Sequence, residues 1–237
     1  MLVLENVSKS YTNNKKAINN ISFKINKGEI FGFIGHNGAG KTTTLKSIVG
    51  IHDFEEGKIL INSKSIKENP IECKKEIAYI PDNPDLYESL TGIQYLNFIA
   101  DIFKVDKKNR EELISKYSKM FEIENVLGAI IGSYSHGMKQ KLAIISGLIH
   151  SPNILILDEP FVGLDPKASF TLKNIMKEFC ESGGCILFST HVLEVAEKIC
   201  DKIAIIKDGK IVSLGTTDEV KGDKSLENIF MELIDNE

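Results

Sequence analysis

One glycine-rich stretch of the chain reads Gly35-His36-Asn37-Gly38-Ala39-Gly40-Lys41-Thr42. It matches the pattern G-x-x-x-x-G-K-[ST], which is typical of loops that hold phosphate groups. Residues 29–34 before it predict a strand, and residues 43–49 after it predict the first turns of a helix. A glycine-rich loop alone is most often only a tight turn, but the lysine, the threonine and the flanking elements together favour a phosphate site.

The chemistry of this stretch suits a nucleoside triphosphate. Glycines let successive backbone N–H groups turn toward phosphate oxygens, and the N-terminus of the following helix adds a partial positive charge. Lys41 can reach the terminal phosphates, and the hydroxyl of Thr42 can bind Mg²⁺. We therefore predict that the chain binds a nucleoside triphosphate together with Mg²⁺.

The composition is that of an ordinary globular protein. The 237 residues are 42% hydrophobic and 26% charged, which suits one large domain or a domain with an insertion. The net charge of −4 gives no electrostatic reason to expect a nucleic-acid partner. The 4 cysteines form neither a C-x-x-C pair nor a metal-binding spacing, which favours buried thiols in a reducing compartment.

The start of the chain shows no pattern of a signal peptide, because lysines interrupt a weakly apolar beginning. The longest uncharged stretch, residues 142–157, is too short and too polar to span a bilayer. We therefore expect a cytoplasmic protein, in which any association with a membrane comes through a partner.

The order of the apolar patterns predicts an α/β fold with a helical insertion. Residues 154–157 and 185–188 are continuous apolar runs, typical of parallel strands covered on both faces. Between the strands, residues 84–147 take up helical spacing, which includes the capping box Thr91-Gly92-Ile93-Gln94. Asp208-Gly209 predicts a hairpin, and the last 22 residues predict a polar turn and a short amphipathic helix. The expected division is a core lobe of about 1–83 and 148–215, a helical subdomain of about 84–147 and a tail of 216–237.

An acidic pair, Asp158-Glu159, follows the buried strand predicted at 154–157. Ligands bind at the carboxyl ends of strands in parallel α/β sheets. By itself such a pair is most often a helix cap, but beside a phosphate loop a catalytic interpretation is favoured. Asp158 would then hold Mg²⁺, and Glu159 would polarise the attacking water.

Three further motifs complete a familiar order. Tyr134-Ser135-His136-Gly137-Met138 precedes a helix, Gly163-Leu164-Asp165-Pro166 follows the acidic pair, and Thr190-His191 follows the next strand. In this order and spacing, residues 2–215 resemble the ATP-binding cassette (ABC) ATPases, the motor subunits of ABC transporters. The resemblance implies a P-loop NTPase (RecA-like) core with an N-terminal antiparallel β subdomain and an inserted α-helical subdomain.

The resemblance also implies roles for single residues. Residues 35–43 correspond to the Walker A loop, Tyr11 to an aromatic residue that stacks on adenine, and His191 to a switch histidine that contacts the γ-phosphate. Asp165 corresponds to an aspartate that communicates across a dimer interface. Taken alone, Tyr11 would be ordinary packing, His191 a structural histidine and Asp165 a turn residue.

The expected site has three parts. The catalytic residues are Lys41, Glu159 and His191. The nucleotide-binding residues are Tyr11, Gly35, His36, Asn37, Gly38, Ala39, Gly40, Lys41, Thr42, Thr43, Ser135, Gly137 and Asp165. The metal ligands are Thr42, Asp158 and Asp82.

Two positions depart from the pattern of the family. The signature L-S-G-G-Q is Y-S-H-G-M here, in which Ser135 and Gly137 keep the hydroxyl and the close backbone approach to a partner's γ-phosphate. His136 is either an outward-facing substitution, which we favour, or a change that weakens this contact. Asp82 stands where the family usually has glutamine, and a carboxylate accepts hydrogen bonds from a Mg²⁺-bound water but cannot donate as an amide does.

The family works as a head-to-tail pair of cassettes, here a homodimer or a heterodimer with another ABC subunit, and powers transport through separate integral membrane subunits. Residues 79–82 and 134–140 are similar to those of bacterial exporter-type systems, which favours export. The alternatives are a soluble regulatory ABC-type ATPase, as in translation or DNA repair, and a small-molecule kinase. The chain shows neither the second nucleotide domain nor the long coiled coils of the former, and a kinase would not explain residues 134–138.

Overall fold

The computed structural model describes residues 1–11 and 16–235. Strands within these residues are β1 (Leu2–Ser10), β2 (Lys16–Ile25), β3 (Ile30–Ile34), β4 (Glu56–Ile61), β5 (Lys64–Ser65), β6 (Ile77–Ile80), β7 (Ile154–Asp158), β8 (Cys185–Thr190), β9 (Lys202–Lys207) and β10 (Lys210–Thr216). One sheet is antiparallel, with the order β2-β1-β4-β5. The other has the order β10-β9-β3-β8-β7-β6, in which only the β10–β9 pair is antiparallel.

Helices connect and cover these strands. They are α1 (Lys41–Ile48), α2 (Pro70–Lys75), α3 (Gly92–Ile102), α4 (Lys107–Met120), α5 (His136–Leu148), α6 (Pro166–Glu181), α7 (Leu193–Ile199), α8 (Thr217–Lys221) and α9 (Leu226–Asp235). Two short 3-10 helices, Glu124–Val126 and Ile131–Ser133, lie between α4 and α5. Helices α3 to α5 are inserted between β6 and β7, so the predicted α/β architecture with an antiparallel sheet and a helical insertion is confirmed.

Strand β3 shows why the central strands are apolar throughout. Its side chains alternate between two hydrophobic cores on opposite faces of the larger sheet. Phe31 and Phe33 pack into the core shared with the antiparallel sheet and α1, whereas Ile34 packs into the core shared with the helices. All three side chains have no exposed surface, and burial of each contributes about 1.5–3 kcal/mol to stability.

Several helices begin at side-chain caps that the sequence specifies. At α3, Gln94 N donates to Thr91 Oγ1 at 3.3 Å and Thr91 N donates to Gln94 Oε1 at 2.9 Å, which confirms the predicted capping box. Ser135 caps α5 through Met138 N at 3.3 Å. Such caps satisfy backbone N–H groups that the helix itself leaves without partners.

The tail, residues 216–235, packs against the core that contains the helical insertion. Helix α9 is amphipathic, as predicted: Leu226 is fully buried, and the other apolar side chains of that face pack against the helical core. The polar turn predicted before it is present at residues 222–224. The short helix α8, which was not predicted, precedes this turn. It begins at a second capping box, in which Thr216 and Glu219 exchange hydrogen bonds.

A histidine ties the helical insertion to the larger sheet. The ring of His150 stacks on Phe103 at the end of α3, with ring centroids 3.8 Å apart and an interplanar angle of 14°. Its Nε2 lies 3.2 Å from Ile77 O, and because a carbonyl only accepts, Nε2 carries the proton. The buried Nδ1 has no partner. Burial therefore lowers the pKa of His150 below its ordinary value.

We expect this histidine to make folding sensitive to mild acid. Because folding lowers its pKa, the unfolded chain binds the proton more tightly, so stability is full above the ordinary value of about 6.5 and falls below it. His150→Phe keeps a ring for stacking but cannot titrate. The free energy of unfolding, measured by denaturant titration between about pH 7 and pH 5, should fall less steeply in the variant. Equal slopes in both proteins would show that His150 does not cause the loss of stability in mild acid.

Candidate functional site

Four parallel strands bring the predicted site residues to one edge of the larger sheet. Strand β3 runs into the phosphate loop, and β7 ends at Asp158. Strand β8 ends just before His191, and β6 ends two residues before Asp82. Because these strands are parallel neighbours, their carboxyl ends lie side by side, which is where α/β proteins bind ligands.

The phosphate loop passes so close to other backbone that it requires glycine. A Cβ atom on Gly35 would lie 2.6 Å from Ile206 O, and one on Gly40 would lie 2.6 Å from Ala17 O. Gly40 also has a φ of 111°, a conformation that side chains rarely adopt. This geometry leaves the loop no room for larger residues at these two positions.

The hairpin between β9 and β10 supports the loop from behind. Gly209 N donates to Ala39 O at 2.9 Å, and Gly209 O accepts from Asn19 N at 2.7 Å. The hairpin therefore joins the phosphate loop to β2 of the antiparallel sheet. The predicted Asp208-Gly209 turn is present, but its contact with the loop could not be read from the sequence.

Lys41 lies inside the loop with only 6% of its surface exposed. Its ammonium group donates to Gly35 O at 2.6 Å and to His36 O at 3.3 Å. It also lies 3.5 Å from Glu159 Oε1. The loop thus contains the buried positive charge of Lys41, which favours an anionic ligand.

Glu159 lies between Lys41 and the switch-like histidine. Its Oε2 is 3.0 Å from His191 Nδ1, and its backbone N–H donates to Ser189 Oγ at 3.1 Å. The residue has a φ of 48°, in the left-handed region that non-glycine residues seldom occupy. This turn after β7 aims a carboxylate across the edge of the sheet, where it can accept a proton from a bound water.

Asp158 is 1% exposed and holds one oxygen without a partner. Its Oδ1 accepts from Ser189 Oγ at 2.5 Å, whereas the buried Oδ2 receives no hydrogen bond. Burial raises the pKa of this carboxyl above its ordinary value, and the negative charges of Asp82 and Glu159 raise it further. The hydrogen bond from Ser189 and the neighbouring hydroxyl of Thr42 act in the opposite direction.

The unpartnered oxygen fits a divalent cation, since a buried carboxylate oxygen is a preferred ligand of Mg²⁺. The hydroxyl of Thr42 lies near Asp158, and Asp82 lines the same cleft. Within residues 1–11 and 16–235, no group of three His, Cys, Asp or Glu side chains forms a metal site by itself. A cation here would need phosphate oxygens to complete its ligands, as in other P-loop sites.

These parts surround an open cleft of about 510 Å³. The predicted residues that line it are Tyr11, His36, Asn37, Gly38, Gly40, Lys41, Thr42, Thr43, Asp82, Asp158 and Glu159. Gly35 and Ala39 lie in the loop behind this surface, and His191 adjoins it through Glu159. The cleft is large enough for a nucleotide, within the range of about 300–1,000 Å³ typical of small-molecule sites.

Four lining residues were not predicted from the sequence: Lys16, Ala17, Asp208 and Gly209. They come from β2 and from the β9–β10 hairpin, which reach the cleft only through the folding of the whole chain. Ser189 was also missed, although it contacts both members of the acidic pair. Its position at the carboxyl end of a continuous apolar strand was the signal that could have pointed to it.

The signature-like residues do not line this cleft. Ser135 caps α5, and a Cβ atom on Gly137 would lie 2.6 Å from Gly163 O, so the two loops are in close contact. The ring of His136 also lies against Gly163, because a Cβ atom there would be 2.3 Å from His136 Cδ2. Ser135 and Gly137 therefore do not contribute to the cleft of their own chain.

Asp165 also lies outside the cleft. Its Oδ1 accepts from Ala168 N at 2.8 Å and caps α6, while its Oδ2 is 2.8 Å from Lys141 Nζ on α5. The hydrogen bond from Lys141, followed by that from Ala168, lowers the pKa of Asp165 below its ordinary value. Both loops, around His136 and around Asp165, are thus joined within one chain.

Comparisons with known proteins show the family of this chain. The model of the ABC transporter family matches residues 18–162. The ATP-binding protein EcsA of Bacillus subtilis, an ABC-type transporter component, is 35% identical over 98% of this chain and 96% of its own length. The chain therefore belongs to the ABC transporter ATP-binding family, and it is an ATPase of the kind that is coupled to transport.

Solved structures show the same architecture. An ATP-binding subunit of an ABC transporter superposes with a TM-score of 0.95 at 34% identity, with 99% of both chains covered. The ATP-binding cassette MJ0796, in a dimeric post-hydrolysis state with ADP and Pi, has a TM-score of 0.82 at 25% identity over 92% of this chain and 99% of its own. Among the helices of residues 1–11 and 16–235, none combines the length and apolar character needed to cross a membrane.

We expect Lys41→Ala to weaken nucleotide binding by about 100-fold, because the phosphates lose a buried cation that nothing else in the loop replaces. Isothermal titration with Mg-ATP measures the effect. Lys24→Ala, which removes an exposed lysine of β2, is the control and should bind as the wild type does. Wild-type affinity and turnover in Lys41→Ala would exclude the phosphate loop as the binding site.

Proposed function

We propose that this chain binds Mg-ATP in the cleft and hydrolyses it at a composite site of a head-to-tail dimer, to drive export through separate membrane-spanning subunits. The observation that carries the proposal is the line of contacts from Lys41 through Glu159 to His191 at the strand edge. These contacts bring a buried cation, a carboxylate and a histidine together beside the phosphate loop.

Binding of the nucleotide divides between the two ends of the cleft. The N–H groups of residues 35–43 and the ammonium of Lys41 receive the phosphates, and Tyr11 offers its ring to the base. Thr42 and Asp158, with Asp82 beside them, hold Mg²⁺. When bound, the ion neutralises part of the charge on the phosphate oxygens.

Hydrolysis depends on Glu159 and its neighbours. The carboxylate orients the attacking water and accepts its proton, while His191 holds the carboxylate through the 3.0 Å contact. Ser189 fixes the backbone of Glu159 and the side chain of Asp158 together. These contacts keep the base at a fixed distance from the phosphate loop, which is the pre-organisation that phosphoryl transfer requires.

The second half of the composite site comes from another chain. Ser135 and Gly137 stand at the start of α5 and outside their own cleft, so a partner cassette, identical or related, can meet them. The helix N-terminus adds a favourable partial charge for the partner's γ-phosphate. Asp165, close to this loop, would carry contact across the interface. The dimer of MJ0796 supports such a pairing.

Membrane subunits would dock on the helical insertion, about residues 84–147. Near its start, Tyr87 is 57% exposed, and its ring packs edge-on against Phe98 and Tyr95. Since Phe98 is 40% exposed as well, the two rings form an exposed aromatic patch, which is a feature of interaction surfaces. The likeness of residues 79–82 and 134–140 to exporter-type cassettes supports export, and docking would hold the chain at the inner face of the membrane.

Glu159→Gln tests the central claim. The amide cannot accept the proton of the water, but Asp158 still holds the metal, so ATP should bind and turnover should fall by about 100-fold or more. Size exclusion with light scattering should then show a monomer without nucleotide and a dimer with Mg-ATP.

The outcomes separate the parts of the proposal. The composite site would be excluded if the variant binds ATP but two cassettes never pair, either in the isolated chain or in the complex with the membrane subunits. Absence of ATP binding in both the variant and the wild type would overturn the proposed activity itself.

Tyr87→Ala tests the docking surface. We expect unchanged ATP turnover of the isolated chain but reduced stimulation by the membrane subunits and reduced transport in vesicles, because an anchoring ring is lost. Ile71→Ala, which removes a still more exposed apolar side chain from α2, is the control and should leave coupling intact. Unchanged stimulation and transport in Tyr87→Ala would show that Tyr87 is not part of the docking surface.

A further inference from the structure

Tyr11 is held in place by residues outside the phosphate-loop motifs. Its hydroxyl lies 3.4 Å from Thr43 Oγ1 in the first turn of α1. The ring of His52 packs edge-on against the ring of Tyr11, with centroids 5.8 Å apart and an interplanar angle of 88°. Lys9 Nζ lies 5.2 Å from the centroid of the same ring. The ring is 48% exposed, so these contacts leave much of its surface open.

His52 is fixed to the far end of α1. After the helix, Gly50 turns the chain with a φ of 67°, and the N–H groups of Ile51 and His52 both donate to Lys46 O, at 2.9 Å and 3.1 Å. The backbone of His52 therefore has a defined position relative to the helix that begins in the phosphate loop. Tyr11 thus contacts the first turn of α1 with its hydroxyl and the turn that follows α1 with its ring.

The charge around His52 suits this contact. Burial, followed by the positive charges of Lys46 and Lys9, lowers the pKa of His52 below its ordinary value. The imidazole is therefore neutral at neutral pH and adds no third positive charge beside the two lysines. An edge-on aromatic contact of this kind stabilises a ring pair beyond the area that it buries.

We propose that His52 is a positioning residue for the nucleotide base, which fixes the ring of Tyr11 so that a purine can stack on it. The inference rests on the proposed function, in which Tyr11 receives the base. A ring that is already fixed loses less rotational freedom when the base binds, so affinity is gained without a direct contact between His52 and the ligand. The phosphate end of the cleft should not depend on His52.

Two ligands separate the base from the phosphates. Mg-ADP carries both parts and is not hydrolysed, whereas Mg-pyrophosphate carries phosphates alone. His52→Ala should weaken ADP binding by about two- to tenfold, the range that one aromatic contact supplies, and should leave pyrophosphate binding unchanged. Isothermal titration of the full chain gives both affinities.

Three variants show whether the effect passes through Tyr11. His52→Phe keeps an aromatic ring and should restore most of the ADP affinity. In a Tyr11→Ala background, His52→Ala should have almost no additional effect, because the ring that it positions is gone. Asp53→Ala changes the exposed neighbour in the same loop and should bind ADP as the wild type does.

Each contrary outcome has a separate meaning. Unchanged ADP affinity in His52→Ala, or an equal loss for ADP and pyrophosphate, would overturn the inference while leaving the ATP site in place. Additive effects of the His52 and Tyr11 substitutions would also overturn it. A wild-type chain that binds neither ligand would refute the proposed function, and the inference with it.

Discussion

The ammonium group of Lys41 is buried, and its positive charge has to be met by oxygen atoms inside the fold. The carbonyl groups of Gly35 and His36 and the carboxylate of Glu159 meet it. This requirement shapes the phosphate loop and draws the end of β7 toward the start of α1. A phosphate that binds Lys41 competes with Glu159 for the same charge, so ligand binding and the freedom of the Glu159 carboxylate are linked. His191 is the second partner that keeps Glu159 at the edge of the sheet.

The sheet makes this arrangement possible because its central strands are buried on both faces. Strands β3, β7 and β8 have no polar face to turn toward water, so helices and the antiparallel sheet must cover both sides. What remains accessible is the edge where the strands end. Polar side chains placed just after an apolar strand are therefore forced together, and Asp158 and Ser189 share a hydrogen bond for this reason. The site follows from the packing of the apolar strands that lead to it.

The sequence allowed strands β3, β7 and β8, the phosphate loop, the capping box at Thr91 and the acidic pair to be predicted, since each depends on neighbours a few residues away. Contacts made by distant segments could not be predicted in this way. Asp208 lines the cleft because β9 pairs with β3, and the ring of His136 lies against Gly163 because α5 and α6 begin side by side. The short helix at residues 217–221 was not predicted either, because it begins at a capping box within a polar segment. The roles of the site residues stay predictions that the geometry supports.

The hairpin that supports the phosphate loop has a consequence for the order in which the molecule is completed. The loop is made early in synthesis, but the amide of Gly209 that closes its rear belongs to the last strands of the larger sheet. A nascent chain that stops before β9 lacks this support, however well its own loop sequence matches the motif. The phosphate loop therefore gains this support late, when distant parts of the chain meet. Since a ligand stabilises only the state that binds it, nucleotide would favour finished chains over partly folded ones.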